Sequence, residues 1–197
     1  ERLYLADVLR YCAEFAWVTN QLDKAEKYVE ESEILYNQLG FWANPGQILK
    51  GLIAQTRNDY RRARRLFIRM QELAELIGDK YAKVGAIVGL GILARDEGNF
   101  QQAQSYFEEA VEVVREVSAE DSGIELSLLG QSKFLQGNLD GSKRDFREGL
   151  SIAKQGDRYF SKSLSLLLFS NTYANLQPKI TIQILGMVDG YRRNKLD

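Results

Sequence analysis

Four stretches of this chain share one residue pattern at a nearly constant spacing, and that repetition limits the fold more than any other feature. They are Asn20-Gln21-Leu22 with Ala25, Asn58-Asp59-Tyr60 with Ala63, Gly98-Asn99-Phe100 with Ala103, and Gly137-Asn138-Leu139 with Ser142. In each, a small or polar pair precedes an apolar residue and a small residue follows three positions on. Val29, Phe67, Phe107 or Phe146 then stands four positions further along. A weaker fifth copy runs Gln177-Pro178, Thr181, Leu185. The small residues are spaced 38, 40, 39 and 39 positions apart, so one unit is about 39 residues long.

Between these markers, apolar residues recur at three-and-four spacing, interrupted by short breaks containing Gly, Asn or Asp. No stretch alternates as a strand would, and the only prolines are Pro45 and Pro178. Every element therefore reads as helix. A small side chain lets two antiparallel helices approach, and a large one a turn later fills the space beside it. Asn20, Asp59, Asn99 and Asn138 stand where a side-chain oxygen can cap the second helix of each hairpin. Gly78-Asp79-Lys80-Tyr81, its copy Gly156-Asp157-Arg158-Tyr159 and the looser Leu39-Gly40-Phe41-Trp42 mark helix ends. Asn44-Pro45 restarts the chain with a cap and a first-turn proline.

The expected helix pairs are 3–18 with 22–39, 45–56 with 60–77, 80–96 with 100–117, 121–135 with 139–155, and 158–174 with 179–192. They define units at 3–40, 44–79, 80–118, 121–156 and 158–192 within a single domain over 1–197, with no linker. Each hairpin can bury its apolar face only against its neighbours, so the array is expected to wind as one superhelix with a concave and a convex side.

Composition removes several function classes. The chain has 26 basic and 27 acidic side chains, so no whole-chain field would attract nucleic acid or an anionic membrane. Histidine is absent, which takes away the usual triads, the commonest zinc ligand and the best general base near neutral pH. Carboxylate groups such as Glu30-Glu31-Glu33 and Glu108-Glu109-Glu112 are spaced for solvated helix faces rather than for a metal or a glycosidase pair. Gly89-Leu90-Gly91 lies inside a helical pattern rather than after a strand, so it is no phosphate loop. The expectation is therefore a non-enzyme with no cofactor, no metal and no catalytic residue. The single cysteine, Cys12, lies among apolar residues and reads as a buried, inert thiol. No apolar run approaches the length of a membrane helix, and Glu1-Arg2-Leu3-Tyr4 is no signal peptide, so a soluble cytoplasmic protein is expected. The chain begins without Met and directly on a helical pattern, which suggests a piece of something longer.

The stretch Val88-Gly89-Leu90-Gly91-Ile92-Leu93-Ala94-Arg95-Asp96-Glu97-Gly98-Asn99-Phe100-Gln101-Gln102-Ala103, ending Ser105-Tyr106-Phe107-Glu108-Glu109-Ala110, resembles a tetratricopeptide repeat. Leu90, Gly91, Ala94, Gly98, Phe100, Ala103, Phe107 and Ala110 fill its motif positions. The fourth copy keeps Leu129, Gly130, Gly137, Leu139, Phe146 and Gly149 but places Lys133 and Ser142 at usual alanine sites. The resemblance implies an all-α fold, a right-handed α-solenoid of about five such hairpins. The long unit, with the tail Asn175-Leu176-Gln177-Pro178 through Ile184-Leu185-Gly186-Met187-Val188-Asp189, is similar to the repeats C-terminal to nucleotide-switch domains in bacterial signalling ATPases and maltose-activator-type transcriptional regulators. No nucleotide motif is present in this chain, so ATP binding is not implied.

In such arrays the first helix of each hairpin lines the concave groove. Carried over by position, the lining is Arg10, Glu14 and Trp17; Ile48, Leu52 and Gln55; Val88, Ile92 and Arg95; Ser127, Gln131 and Phe134; Leu166, Ser170 and Tyr173. Of these, Arg10, Glu14, Trp17, Gln55, Arg95, Gln131, Phe134 and Tyr173 are the candidate binding residues. Aromatic anchors mixed with a few charges suit a peptide or protein segment. The aromatic residues could equally pack between hairpins, and a small-molecule inducer or self-association are the alternative uses of such an array. A cluster of Arg57, Arg61, Arg62, Arg64, Arg65 and Arg69 could meet phosphate or an acidic partner. Its bland reading, preferred here, is a solvated convex face offset by Glu72 and Glu75.

Overall fold

Helix boundaries follow from the breaks in the sequence. The computed structural model describes residues 1–42, 44–118 and 122–155, together with 165, 168, 169 and 172. Its elements are α1 (Arg2–Val18), α2 (Leu22–Gln38), α3 (Pro45–Thr56), α4 (Tyr60–Ile77), α5 (Lys80–Asp96), α6 (Phe100–Val117), α7 (Gly123–Leu135) and α8 (Leu139–Gln155). No strand occurs among the described residues. The expected fifth pair, 158–174 with 179–192, lies outside them except for four isolated positions. Helix α7 starts at Gly123 rather than 121, after a buried Ser122.

The breaks that follow α1, α3, α5 and α7 share one backbone device. Asn20, Asn58, Gly98 and Gly137 all have positive φ, between 59° and 81°, which turns the chain from the first helix into the second. Asparagine tolerates this region and glycine enters it freely. The next residue is the cap: Asp59 accepts from Arg62 N–H at 3.0 Å, Asn99 from Gln102 N–H at 3.2 Å, and Asn138 from Gly141 N–H at 3.0 Å. The expectation for Asn20 is corrected here. Asn20 occupies the left-handed turn position, and the residue in register with the caps is Gln21, whose side chain makes no capping bond to α2. Asn44 caps α3 through Gly46 N–H, with Pro45 in the first turn. Gly78 ends α4 at φ 73°.

The marker residues form the core. Ala25, Ala63, Ala103 and Ser142 are fully buried, as are Val29, Phe67, Phe107 and Phe146. Burying a ring such as Phe67 contributes roughly 1.5–3 kcal/mol. Phe67 of α4 enters the space above two glycines, Gly51 of α3 and Gly89 of α5, where an added Cβ would lie 2.3 Å and 2.5 Å from its ring. Phe146 of α8 uses Gly130 of α7 in the same way and meets Phe169 edge-on, with centroids 5.3 Å apart. Leu90, Gly91, Ala94 and Ala110, picked out by the repeat motif, are also buried.

The chain separates into two compact units, Glu1–Gly98 and Asn99–Asp197. In the first unit α3 touches α1, α2, α4 and α5, so the first helices α1, α3 and α5 lie side by side in one layer. One core cluster joins Ala13 and Ala16 of α1, Ala25 and Val29 of α2, and Leu49 and Ile53 of α3. Another joins Met70 and Ala74 of α4 to Ala82 and Ala86 of α5. In the second unit α7 packs on both α6 and α8. Helices α7 and α8 approach closely at Gly123 and Gly149, where a Cβ on Gly149 would lie 2.8 Å from the Gly123 carbonyl.

Candidate functional site

The layer of first helices in the Glu1–Gly98 unit carries the candidate residues at matching heights. Ile48, Leu52, Val88 and Ile92 are half-buried, as are Arg10, Glu14, Trp17 and Arg95. Polar bonds tie each hairpin to the next. Trp17 donates its indole N–H to Thr56 Oγ1 at 2.8 Å, and Gln55 donates through Nε2 to Asp96 Oδ2 at 2.5 Å. Gln55 is buried rather than projecting to solvent, and its Oε1 has no hydrogen-bond partner. Arg95 Nη2 donates to Asp96 Oδ1 at 2.9 Å, so Asp96 collects bonds from both α3 and α5.

On α1, Arg10 pairs with Glu14 one turn away and stacks over the Tyr11 ring at 3.9 Å. Burial would lower the Arg10 pKa, but Glu14 and hydrogen bonding with Tyr36 and Tyr11 outweigh it, and the guanidinium is held charged above its ordinary value. Tyr36 in turn donates to Asp7 Oδ1 at 2.5 Å; burial, and then this bond, raise its phenol.

In the second unit Gln131 and Phe134 are half-buried, and Gln131 Nε2 donates to Thr172 Oγ1 at 3.4 Å. Ser127 is fully buried and donates to the Gly123 carbonyl within its own helix, so it does not line a surface. Leu166, Ser170 and Tyr173 lie outside the described residues.

The arginine cluster splits in two. Arg57 bonds to Asp23 and Glu26, Arg62 to Glu26, and Arg64 to Glu97. Arg61, Arg65 and Arg69 stand exposed at one-turn intervals on α4. The paired arginines are offset by carboxylates of other helices, whereas Glu75 is engaged by Lys83 of α5. Burial works against ionisation of Glu26, yet hydrogen bonds from Arg62 and the charge of Arg57 prevail and hold its carboxyl below the usual range.

The sequence pattern did not single out a cavity of about 320 Å³ lined by Tyr36, Phe41, Asn44, Ile48, Met70, Asp79, Tyr81 and Ala82. It opens where α3 and α5 begin, and Ile48 makes it adjoin the layer of first helices. Asn44 and Asp79 line it as caps, with Asp79 accepting from Ala82 N–H at 2.9 Å. The signal lay in the aromatic residues that follow each helix-end glycine, Phe41 after Gly40 and Tyr81 three positions after Gly78. Cys12 is corrected from the expected buried thiol: it is exposed. Among the described residues no group of three or more His, Cys, Asp or Glu could hold a metal ion, and no helix is long and apolar enough to cross a membrane.

Half-buried apolar side chains in register along a layer of first helices, over second helices that carry the small-then-aromatic markers, decide the comparison with known families. Residues 84–113 match the tetratricopeptide repeat. No curated protein sequence is significantly similar to the chain. Among solved structures, aspartyl phosphate phosphatase F from Bacillus subtilis superposes with a TM-score of 0.73 at 15% identity, covering 97% of this chain and 51% of that one. A Rap protein complexed with Competence and Sporulation Factor gives 0.70 at 13% identity, over 98% of this chain and 61% of that one. A putative kinesin light chain from Podosopora anserina, with nearly identical TPR-like repeats, gives 0.62 at 13% identity over 100% and 98%. The fold is thus that of the tetratricopeptide-type helical-repeat proteins. The chain spans only about half the length of the phosphatase.

Proposed function

We propose that the chain is a non-enzymatic binding module in which the first-helix layer receives a peptide or protein segment. The carrying observation is the combination, within Glu1–Gly98, of half-buried Leu52, Val88 and Ile92 with polar groups at Trp17 and Arg95 and an adjoining apolar cavity. Apolar side chains of a bound segment would be taken by the cavity, the aliphatic residues and the Trp17 ring, and its carbonyl or carboxylate groups by the Arg95 guanidinium. One of the similar structures, the Rap protein, holds Competence and Sporulation Factor, and the reading is compatible with it. We infer further that such a module is the sensing or docking part of a cytoplasmic regulator acting in signal transduction, a reading supported by the similarity of its long repeat unit to those of signalling ATPases and transcriptional activators. A second reading, a small-molecule effector, draws on the 320 Å³ cavity, a volume at the lower end of ligand pockets.

The test is to select binding peptides from a displayed library and measure them by calorimetry against three sets of variants. Arg95→Ala and Ile92→Ala should weaken binding by about 1–3 kcal/mol, while Arg61→Ala and Arg65→Ala leave it nearly unchanged. Ile48→Trp, which fills the cavity, should abolish binding of any peptide anchored there. Loss of binding in the arginine variants with retention in the first set would move the working surface to α4.

A further inference from the structure

The outer face of α1 is apolar along its length and uncovered by the described residues. Tyr4, Val8, Tyr11, Phe15 and Val18 follow one another at three-and-four spacing and are 75%, 36%, 60%, 69% and 75% exposed. Repeat arrays end in hairpins whose outer face is polar, because a terminal face meets water. Helix α1 does the opposite, and a patch of this kind on a soluble chain marks an interaction surface.

The internal repeat shows which interaction. Offsets of 38 and then 40 residues, taken from the buried markers Ala25, Ala63 and Ala103, carry Val8, Tyr11 and Phe15 onto Gly46, Leu49 and Ile53 of α3, and onto Ala86, Gly89 and Leu93 of α5. All six of those positions are buried. On α3, Leu49 and Ile53 pack with Ala25 and Val29 of α2. On α5, Ala86 packs with Met70 and Ala74 of α4, and Gly89 lies under the Phe67 ring. In both hairpins, therefore, these positions receive the second helix of the preceding hairpin. We infer that the α1 face is the receiving half of the same interface, covered in the full polypeptide by one further tetratricopeptide-type hairpin from residues N-terminal to Glu1.

Volume complementarity specifies that hairpin. Where the receiving residue is Gly89 the entering side chain is Phe67, and where the receivers are Leu49 and Ile53 it is the smaller Val29. Tyr11 and Phe15 are larger than either set, so the covering helix carries a small residue, Ala, Ser or Gly, where α4 has Phe67. Close packing allows no other pairing without overlap.

Cys12, exposed on this helix beside Tyr11, reports occupancy directly. The experiment expresses the natural polypeptide with the residues encoded ahead of Glu1 and compares it with Glu1–Asp197. Alkylation of Cys12, followed on its peptide by mass spectrometry, is expected to slow about tenfold or more in the longer chain, because reaction then requires local opening. Phe15→Glu is expected to lower the melting temperature of the longer chain and to leave that of Glu1–Asp197 unchanged or higher. Equal Cys12 reactivity in the two chains overturns the inference, as does a gene that encodes no hairpin ahead of Glu1. A Glu1–Asp197 dimer by light scattering that protects Cys12 and is dissociated by Phe15→Glu, with no added protection in the longer chain, also overturns it, in favour of a second copy as occupant.

Discussion

Phe67 lies over two backbones that carry no side chain, and the fit leaves room for none. A Cβ on Gly89 would meet three of its ring atoms between 2.5 and 2.7 Å, and the ring is enclosed on all sides. Gly89→Ala gains about 1 kcal/mol of helix propensity but incurs about 1–3 kcal/mol of overpacking, so a net loss of stability is expected in urea denaturation. Gly85→Ala is the contrast. Its Cβ would meet only the tip of Ile48, a flexible side chain bordering a cavity, so this change should be neutral or stabilising by up to about 1 kcal/mol. Equal effects of the two would show that Phe67 has more room than its surroundings imply. Glu26 carries a second prediction. Its folded pKa is depressed below 4.5, so the stability it contributes is present above that value and is lost as pH falls through the lower folded one. Glu26→Gln should therefore lower stability by about 0.5–1 kcal/mol at pH 7, and the difference should shrink as pH falls through the lower folded value, as read from melting temperatures across a pH series. A gap that does not shrink on acidification would refute the role given to the Arg57 and Arg62 pairs. At this scale the markers Ala63, Phe67, Ala103 and Phe107 were legible in the sequence, since each must be buried for a hairpin to close. Cys12 was not, because apolar neighbours look alike whether or not a helix covers them.

Among elements, helix limits were legible wherever a break combines a left-handed residue with a cap. Six of the expected starts, at 22, 45, 60, 80, 100 and 139, coincide with the observed first residues. The described α7 starts at Gly123, two residues after the expected start at 121, which lies outside the described residues. The caps give an element-scale prediction: Asn99→Ala removes the acceptor for Gln102 N–H and should cost about 1 kcal/mol, whereas Gln21→Ala removes no capping bond and should cost almost nothing. Thermal unfolding of the two variants checks the shift of the cap from Asn20 to Gln21. A loss at Gln21 equal to that at Asn99 would mean that the side chain caps α2 in solution. The candidate residues show why elements alone do not define a site. Gln55 and Ser127 occupy first-helix positions that a helical wheel assigns to a surface, yet both are buried, one by a bond to the next hairpin and the other by a bond within its own turn.

For the whole molecule, a repeat of about 39 residues with small and large markers one turn apart left only one class of fold open, because a hairpin of this kind buries its apolar face against a neighbour and nowhere else. The all-helical class, the α1–α2, α3–α4 and α7–α8 pairs and the tetratricopeptide character were therefore determined by the sequence itself. Tertiary structure alone decided the rest. Which arginines of the cluster are neutralised depends on carboxylates 31 to 36 positions away, on Asp23, Glu26 and Glu97, and no local pattern points to partners at that separation. The cavity beside Ile48 arises where aromatic residues of the α2–α3 turn meet the start of α5, about 40 residues further on. The apolar face of α1 has the same periodicity as any buried helix face, and only the three-dimensional packing shows it uncovered while its counterparts on α3 and α5 are filled. Periodicity states that a face is apolar, a local property of the chain; what lies against that face is settled by contacts between residues far apart in sequence.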